Sequence, residues 1–454
     1  MLVVFLVATS ASIFIEGNIG ACYAEENGSK SGELTTDGMY AAVTEDGITL
    51  MMRRYRPTPD AVFNEGAQPI LLMPGILCNM YEFLPHTPAS REKAYSDIKL
   101  PDPIADWAYG DPYIEEDPML YYSIAHYLWL KGYDPWFGNY RGTGYKEFKS
   151  ETGPWSTTLD TWALYDTPAF IEKVTEVTGK APIIGGHSTG GLVSYIYLQG
   201  ACFGEGENPH VQSDPSLAAE RNKAIKGFIA LDPAGVPPLP KWLDLRPLWA
   251  LVGEPLYLPL GLYWNEAVNA LKPAALDDDV VLTLEMVIDK MRILDNLFGK
   301  YIDLFGYLAM VNSNNLDPHV ADFSFRYAFP DSTFIRGLGQ YFDFGMNNTI
   351  REFWKNGGRK MYPIIGPKPK PDDGYYYCTE NMDKVAVPTI AILSESDSLV
   401  NAENIIQDLM EAKTPNENDE YYIIEGTAHI DVPMGIKGPI EIFPLIGAWL
   451  DKIQ

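Results

Sequence analysis

Gly186-His187-Ser188-Thr189-Gly190 follows a short apolar run, Ala181 to Ile184, and precedes a helix-like run, Leu192 to Leu198. Strand, glycine-flanked serine and helix are the parts of a turn so sharp that only residues with almost no side chain fit beside the serine. Such a turn lifts the hydroxyl of Ser188 into a pocket at the amino end of the following helix. A pentapeptide of this kind arises by chance in roughly one chain in seven of this length, so its placement and the residues elsewhere decide its meaning.

The chain is large enough for one α/β domain with an inserted unit: 454 residues, 46% hydrophobic and 13% aromatic. Its formal charge of -27 repels nucleic acid and anionic membranes, so no nucleic-acid partner is expected. Residues 1–24 read as a signal peptide. Leu2 to Ile15 is apolar but too short to span a bilayer comfortably, and Cys22-Tyr23-Ala24 places small residues where a signal peptidase reads. No Lys or Arg precedes the apolar run. Export, secreted or periplasmic, is the expectation, with a lipoprotein acylated at Cys22 as the alternative. Cys78, Cys202 and Cys378 are too few and too scattered for a disulfide framework. No Cys/His cluster suggests a metal, and no cofactor is expected.

Alternating signals run through the first half. Met39 to Thr44 and Ile48 to Tyr55 form a hairpin around Glu45-Asp46-Gly47; Ile70 to Met73 is a buried strand ending in Pro74-Gly75. A helix over Asp117 to Leu130 leads to a strand over Tyr133 to Gly138. A second helix spans Leu159 to Thr178, kinked at Pro168 and stopped by Gly179. After the serine turn, Ile225 to Leu231 is a strand. The alternation resumes with a strand at Val387 to Leu393, a helix at Ala402 to Ala412, a strand at Glu420 to Ile424 and a closing helix at Ile440 to Ile453. A mostly parallel sheet wrapped by helices is the expected core, residues 25–238 and 383–454. Between these halves, 239–382 reads as a helical cap. Asp278 to Leu308 carries one apolar helical stripe there, and the Pro/Lys-rich Pro367 to Asp373 closes the insertion. Such a stripe is ordinary helix core, or the underside of a cap that receives an acyl chain.

A serine hydroxyl is a poor nucleophile without a base and a group that orients the base. His429 follows the last predicted strand in Glu425-Gly426-Thr427-Ala428-His429-Ile430-Asp431 and is the expected base. Asp397, in the polar loop after the preceding strand, is the favoured acid; Asp232, after the strand that follows the serine turn, is the alternative. Glu395 and Asp431 read as surface groups. His187 is turned away from Ser188, and His86, His126, His210 and His319 have no matching partner in the sequence pattern. The backbone N–H groups of Thr189 and Ile76 are the expected oxyanion donors.

These residues together resemble the acid lipase branch of the α/β-hydrolases, the gastric and lysosomal type. Val43-Thr44-Glu45-Asp46-Gly47-Ile48-Thr49-Leu50 is similar to that family's opening hairpin. Gly132 to Gly142, with Asp134-Pro135-Trp136-Phe137-Gly138-Asn139, resembles its strand and loop, where the family has a serine in place of Tyr140. Tyr165-Asp166-Thr167-Pro168-Ala169 looks like its helix before the elbow, and His429-Ile430-Asp431 its His-Leu-Asp. The chain departs from the family at Pro74-Gly75, in place of His-Gly, and at Thr189-Gly190-Gly191, in place of Gln-Gly. The resemblance implies an α/β-hydrolase fold; the helical cap inserted before the acid-bearing strand is read from residues 239–382 themselves, which show no clear likeness to the family. The resemblance also implies lipid or other carboxylic ester substrates and transient contact with a lipid interface. The expected activity is ester hydrolysis by a Ser188-His429-Asp397 triad through an acyl-enzyme. An acyltransferase or polyester depolymerase using the same triad, or a catalytically silent binding module, are the alternatives.

Overall fold

The computed structural model describes residues 38–152, 159–204, 211–235, 257–258, 311–329, 331, 333–334, 350–351, 375–376, 378–397 and 400–454. Its centre is an eight-stranded sheet. Met39–Val43 (β1) and Thr49–Arg54 (β2) form the hairpin, followed by Pro69–Met73 (β3), Asp134–Gly138 (β4) and Ile183–His187 (β5). Gly227–Leu231 (β6), Thr389–Ser394 (β7) and Glu420–Ile424 (β8) complete it. The spatial order is β1-β2-β4-β3-β5-β6-β7-β8. The pairs β1/β2 and β2/β4 are antiparallel, and every other pair is parallel. This is the α/β-hydrolase fold expected from the sequence.

Alternation along the buried strands assigns their side chains to two apolar layers. Ile70 and Leu72, Ile229 and Leu231, and Ile390 and Ile392 face one layer, with Ile124–Leu130 (α1) and Phe443–Lys452 (α6) packed over them. Leu71 and Met73, Phe228 and Ala230, and Ala391 and Leu393 face the other, under Thr167–Thr178 (α2) and Thr189–Leu198 (α3). Strands with both faces covered end in loops at one sheet edge, which is where ligands bind in such sheets.

Several helices differ from expectation for local reasons. The helix expected over Asp117 to Leu130 is divided. Pro118–Tyr122 forms a 3₁₀ segment, and α1 starts afresh at Ser123, whose hydroxyl accepts from the His126 amide at 3.3 Å. The bend expected at Pro168 lies just upstream. Pro168 has no N–H to offer the carbonyl four residues before it, and the chain widens into an i→i+5 turn over Trp162–Asp166. Gly179 does end α2, in a left-handed conformation at φ 68°. The helix expected over Ala402 to Ala412 contains a similar wide turn at Ile406–Met410, and the one expected over Ile440 to Ile453 is entered through another, Gly438–Ile442, that starts two residues earlier.

Residues 1–24, including Cys22, lie outside the described residues, as do Asp278 to Leu308 and Pro367 to Asp373. The longest described stretch of the proposed insertion is 311–329, which carries Pro318–Phe323 (α5); its Leu316, Val320 and Phe323 join the first apolar layer. Among the described residues no helix is long and apolar enough to cross a membrane. The three described cysteines are free thiols.

Candidate active site

Ser188 sits between β5 and α3 with φ 53° and ψ −120°, a conformation that L-residues avoid. The turn is fixed on both sides. Its N–H donates to the Leu231 carbonyl at 3.0 Å, and its own carbonyl accepts from Leu192 at 3.1 Å and Ala234 at 2.8 Å. The glycines around it are required by contact. A Cβ on Gly190 would lie 2.1 Å from the Met73 carbonyl oxygen, and one on Gly186 2.4 Å from the same atom. The tip of β3 and the start of α3 therefore touch backbone to backbone, and the serine is held where they meet.

His429 is buried on the loop after β8. Its Nδ1 lies 2.7 Å from Asp397 Oδ2 and 3.3 Å from Asp232 Oδ2. Both carboxylates accept, so Nδ1 carries the hydrogen, and in the neutral ring Nε2 is left free to take a proton. Both acids named from the sequence thus reach the same atom, with Asp397 nearer. Asp232 is fixed at φ 42° after β6 and accepts from the amide of Ser394 at 3.2 Å and from its hydroxyl. The donor atoms of the trio all lie within 4.8 Å, the one grouping of metal-ligand type among the described residues. The shared N–H accounts for that spacing.

Burial works against a charged imidazole, but the Asp397 and Asp232 carboxylates outweigh it and lift His429 to about 10. Burial and the neighbouring Asp397 charge raise Asp232 as well.

His429 stands beside the elbow: its ring centroid is 4.7 Å from that of His187, the residue before Ser188. Among the described contacts, the Ser188 hydroxyl makes no hydrogen bond to His429 in this resting structure. Such bonds are commonly long without substrate and tighten in the complex.

The loop after β3 lies against the serine. A Cβ on Gly75 would be 3.1 Å from Ser188 Cβ. Gly75 N–H donates to Glu82 Oε1 at 3.0 Å and is thereby occupied, and the amide of Ile76 follows it along the bend. Leu77 follows at φ 63°, a further strained position, on the loop that lies against the serine. Thr189 opens α3. Its hydroxyl is buried without a hydrogen-bond partner among the described residues, a feature that the sequence did not announce because only its amide was expected to matter.

Other residues take different places from those expected. Asp431 is not a surface group but fully buried, where it accepts from the Ala428 amide at 3.1 Å, the Asn312 amide at 3.1 Å and Asn315 Nδ2 at 2.6 Å. The sequence shows an acid near a surface loop; two of its partners, Asn312 and Asn315, come from over a hundred residues away. Glu395 is exposed and accepts from the Gly426 amide. His126 and His319 do have partners, Asp111 at 3.3 Å and Asp97 at 2.9 Å, far along the chain from any catalytic loop. His210 lies outside the described residues. His187 is turned into the protein, where it meets Glu82 and the His429 carbonyl.

The chain is 28% identical over 205 residues to Lipase lipl-3 of Caenorhabditis elegans, covering 43% of this chain and 39% of that protein. It is 26% identical over 201 residues to the gastric triacylglycerol lipase of Homo sapiens, covering 43% of this chain and 38% of the lipase. Among solved structures, a thermophilic esterase from Thermogutta terrifontis with malate bound superposes with a TM-score of 0.42 at 14% identity, over 91% of this chain and 98% of the esterase. No family model matches the chain. The chain thus spans about two fifths of the length of the curated relatives that it matches, and its likeness is to gastric-type lipases.

Proposed function

We propose that this protein is a serine carboxylic-ester hydrolase acting on lipid or other acyl esters. Ser188 attacks the ester carbonyl. His429 Nε2 takes the hydroxyl proton and passes it to the departing alcohol. Asp397 holds the imidazole and stabilises its charged form. The amides of Thr189 and Ile76 stabilise the oxyanion. Water activated by His429 then releases the acid and restores Ser188. The observation that carries this reading is the His429 Nδ1–H held at 2.7 Å by Asp397, one ring away from a serine at φ 53°. The similarity to lipases supports an ester substrate. A cap over residues 239–382 fits an acyl chain lying under its apolar side, and residues 1–24 fit an export signal.

The test is hydrolysis of p-nitrophenyl esters from short to long acyl chain, with Ser188→Ala and His429→Ala beside the wild type. Each substitution should lower kcat by about 10³-fold or more, and long chains should be preferred. Hydrolysis that survives both substitutions would remove the proposal, and a preference for acetate would remove its lipid part.

A further inference from the structure

Glu82 is fully buried in an apolar stretch, Met80-Tyr81-Glu82-Phe83, and among the described residues it pairs with no Lys or Arg. Its two oxygens are divided between two loops. Oε1 accepts the Gly75 amide at 3.0 Å, and Oε2 lies 3.2 Å from His187 Nδ1. The other ring nitrogen, His187 Nε2, is 2.9 Å from the main-chain carbonyl of His429. A carbonyl only accepts, so Nε2 carries a hydrogen. Two lone pairs cannot face each other across 3.2 Å, so a second proton lies between Nδ1 and Oε2. The pair is therefore neutral as a unit and places no net charge behind the oxyanion donors.

We infer that the Glu82–His187 pair is a positioning device that registers the oxyanion loop, the nucleophile and the base loop against one another. The chain of contacts runs from the Gly75 amide through Glu82 and His187 to the backbone of His429. Gly75 lies against Ser188, and His187 is joined to Ser188 by a peptide bond. The carboxyl turns the Gly75 N–H inward, which presents the following amide, that of Ile76, to the reacting oxygen. The imidazole fixes how far the base loop stands from the elbow. Cys78 is buried beside the same carboxyl, and burial and Glu82 push its thiol well up. Glu82 stands one residue removed from the reacting groups, and His187 meets them only through the face of the His429 ring, 4.7 Å away centroid to centroid.

This inference rests on the proposed roles of Ser188 and His429, and the experiment separates the two. Glu82→Gln, Glu82→Leu and His187→Gln are compared with the wild type by ester hydrolysis, each rate divided by the number of sites that a fluorophosphonate titrates. That division removes misfolded protein from the comparison. Glutamine can still accept the Gly75 amide and donate to a neutral His187, so Glu82→Gln should keep kcat within about tenfold. Glu82→Leu frees the loop, and kcat should fall about 10²-fold with KM nearly unchanged, the size of losing one oxyanion donor. His187→Gln keeps a donor toward the His429 carbonyl but loses Glu82, and should fall between them. Inhibition by an alkyl boronic acid, whose tetrahedral adduct presents an oxygen to the same amides, should weaken in parallel with kcat. A Glu82→Leu enzyme with wild-type kcat per titrated site, or a Glu82→Gln enzyme as impaired as Glu82→Leu, would overturn the inference. Unimpaired hydrolysis by Ser188→Ala would instead overturn the triad on which it stands.

Discussion

At the scale of single residues, the site places strain and charge where chemistry needs them. Ser188 is held at φ 53° by its neighbours, and glycine would adopt that conformation without penalty. Ser188→Gly should therefore raise stability by about 1 kcal/mol in urea unfolding while removing hydrolysis; Ser188→Ala, which keeps the strain, should not gain it. A glycine variant less stable than the alanine variant would contradict the strained elbow. The two acids on His429 give a second expectation. A ring lifted to about 10 is protonated at neutral pH and cannot accept a proton, so kcat/KM should climb as pH rises into the alkaline range. Asp232→Asn removes one negative charge, lowers the ring's affinity for its proton and should move that limb to lower pH. Asp397→Asn removes the nearer partner and should also lower the plateau, by about 10²-fold or more. An unmoved limb in Asp232→Asn would show that the second acid does not act on the ring. The same lift affects stability. The folded ring binds its proton more tightly than the unfolded ring at 6.5, so the contribution is full below that pH and is lost as pH rises through about 10. The wild-type Tm should fall over that window more than that of His429→Gln.

At the scale of elements, the elbow depends on backbone contact between β3 and α3. Gly190→Ala would drive a Cβ to 2.1 Å from the Met73 oxygen and 2.8 Å from that of Pro74, atoms that cannot yield without moving the strand. It should cost about 3 kcal/mol in chemical unfolding; a variant of wild-type stability would mean that the two elements are not so close. Most elements could be read from the sequence because their signals are local. Buried strands are short apolar runs, Gly179 ends its helix, and the serine turn is spelled by its glycines. The wide turn at Trp162–Asp166 could not be placed, because the missing N–H of Pro168 acts on a carbonyl a full turn earlier. Nor did the sequence mark Ser123 as a helix start, since a serine inside an apolar periodic run is indistinguishable from a tolerated one until its hydroxyl is seen to accept the His126 amide.

At the scale of the whole molecule, residues 311–329 and Asp331 link loops that lie far apart in the chain. Asn315 donates to Asp431 beneath the base loop, and its backbone carbonyl accepts from Ile436 at 2.7 Å. Asp331 accepts from Asn79 Nδ2 at 2.7 Å and from the Gly144 amide at 2.8 Å, and its own amide donates to the Leu77 carbonyl at 2.6 Å, one residue beyond Ile76. Asn315→Ala should thus leave a buried carboxyl short of a donor and cost about 2 kcal/mol, read as a lowered urea midpoint; an unchanged midpoint would mean that this segment does not hold the base loop. None of these links could be read from sequence. Ser188, His429, Asp397 and Asp232 were visible because each follows a strand in a set order, whereas Glu82 and Asp431 acquire their roles only through partners that the fold supplies. The central claim is that one serine is made reactive by one histidine. A fluorophosphonate, with the adduct located by peptide mass spectrometry, tests it most directly. The account predicts a single adduct on Ser188, formed at least about 10²-fold more slowly in His429→Ala. An adduct on another residue, or labelling of Ser188 at an equal rate without His429, would contradict it.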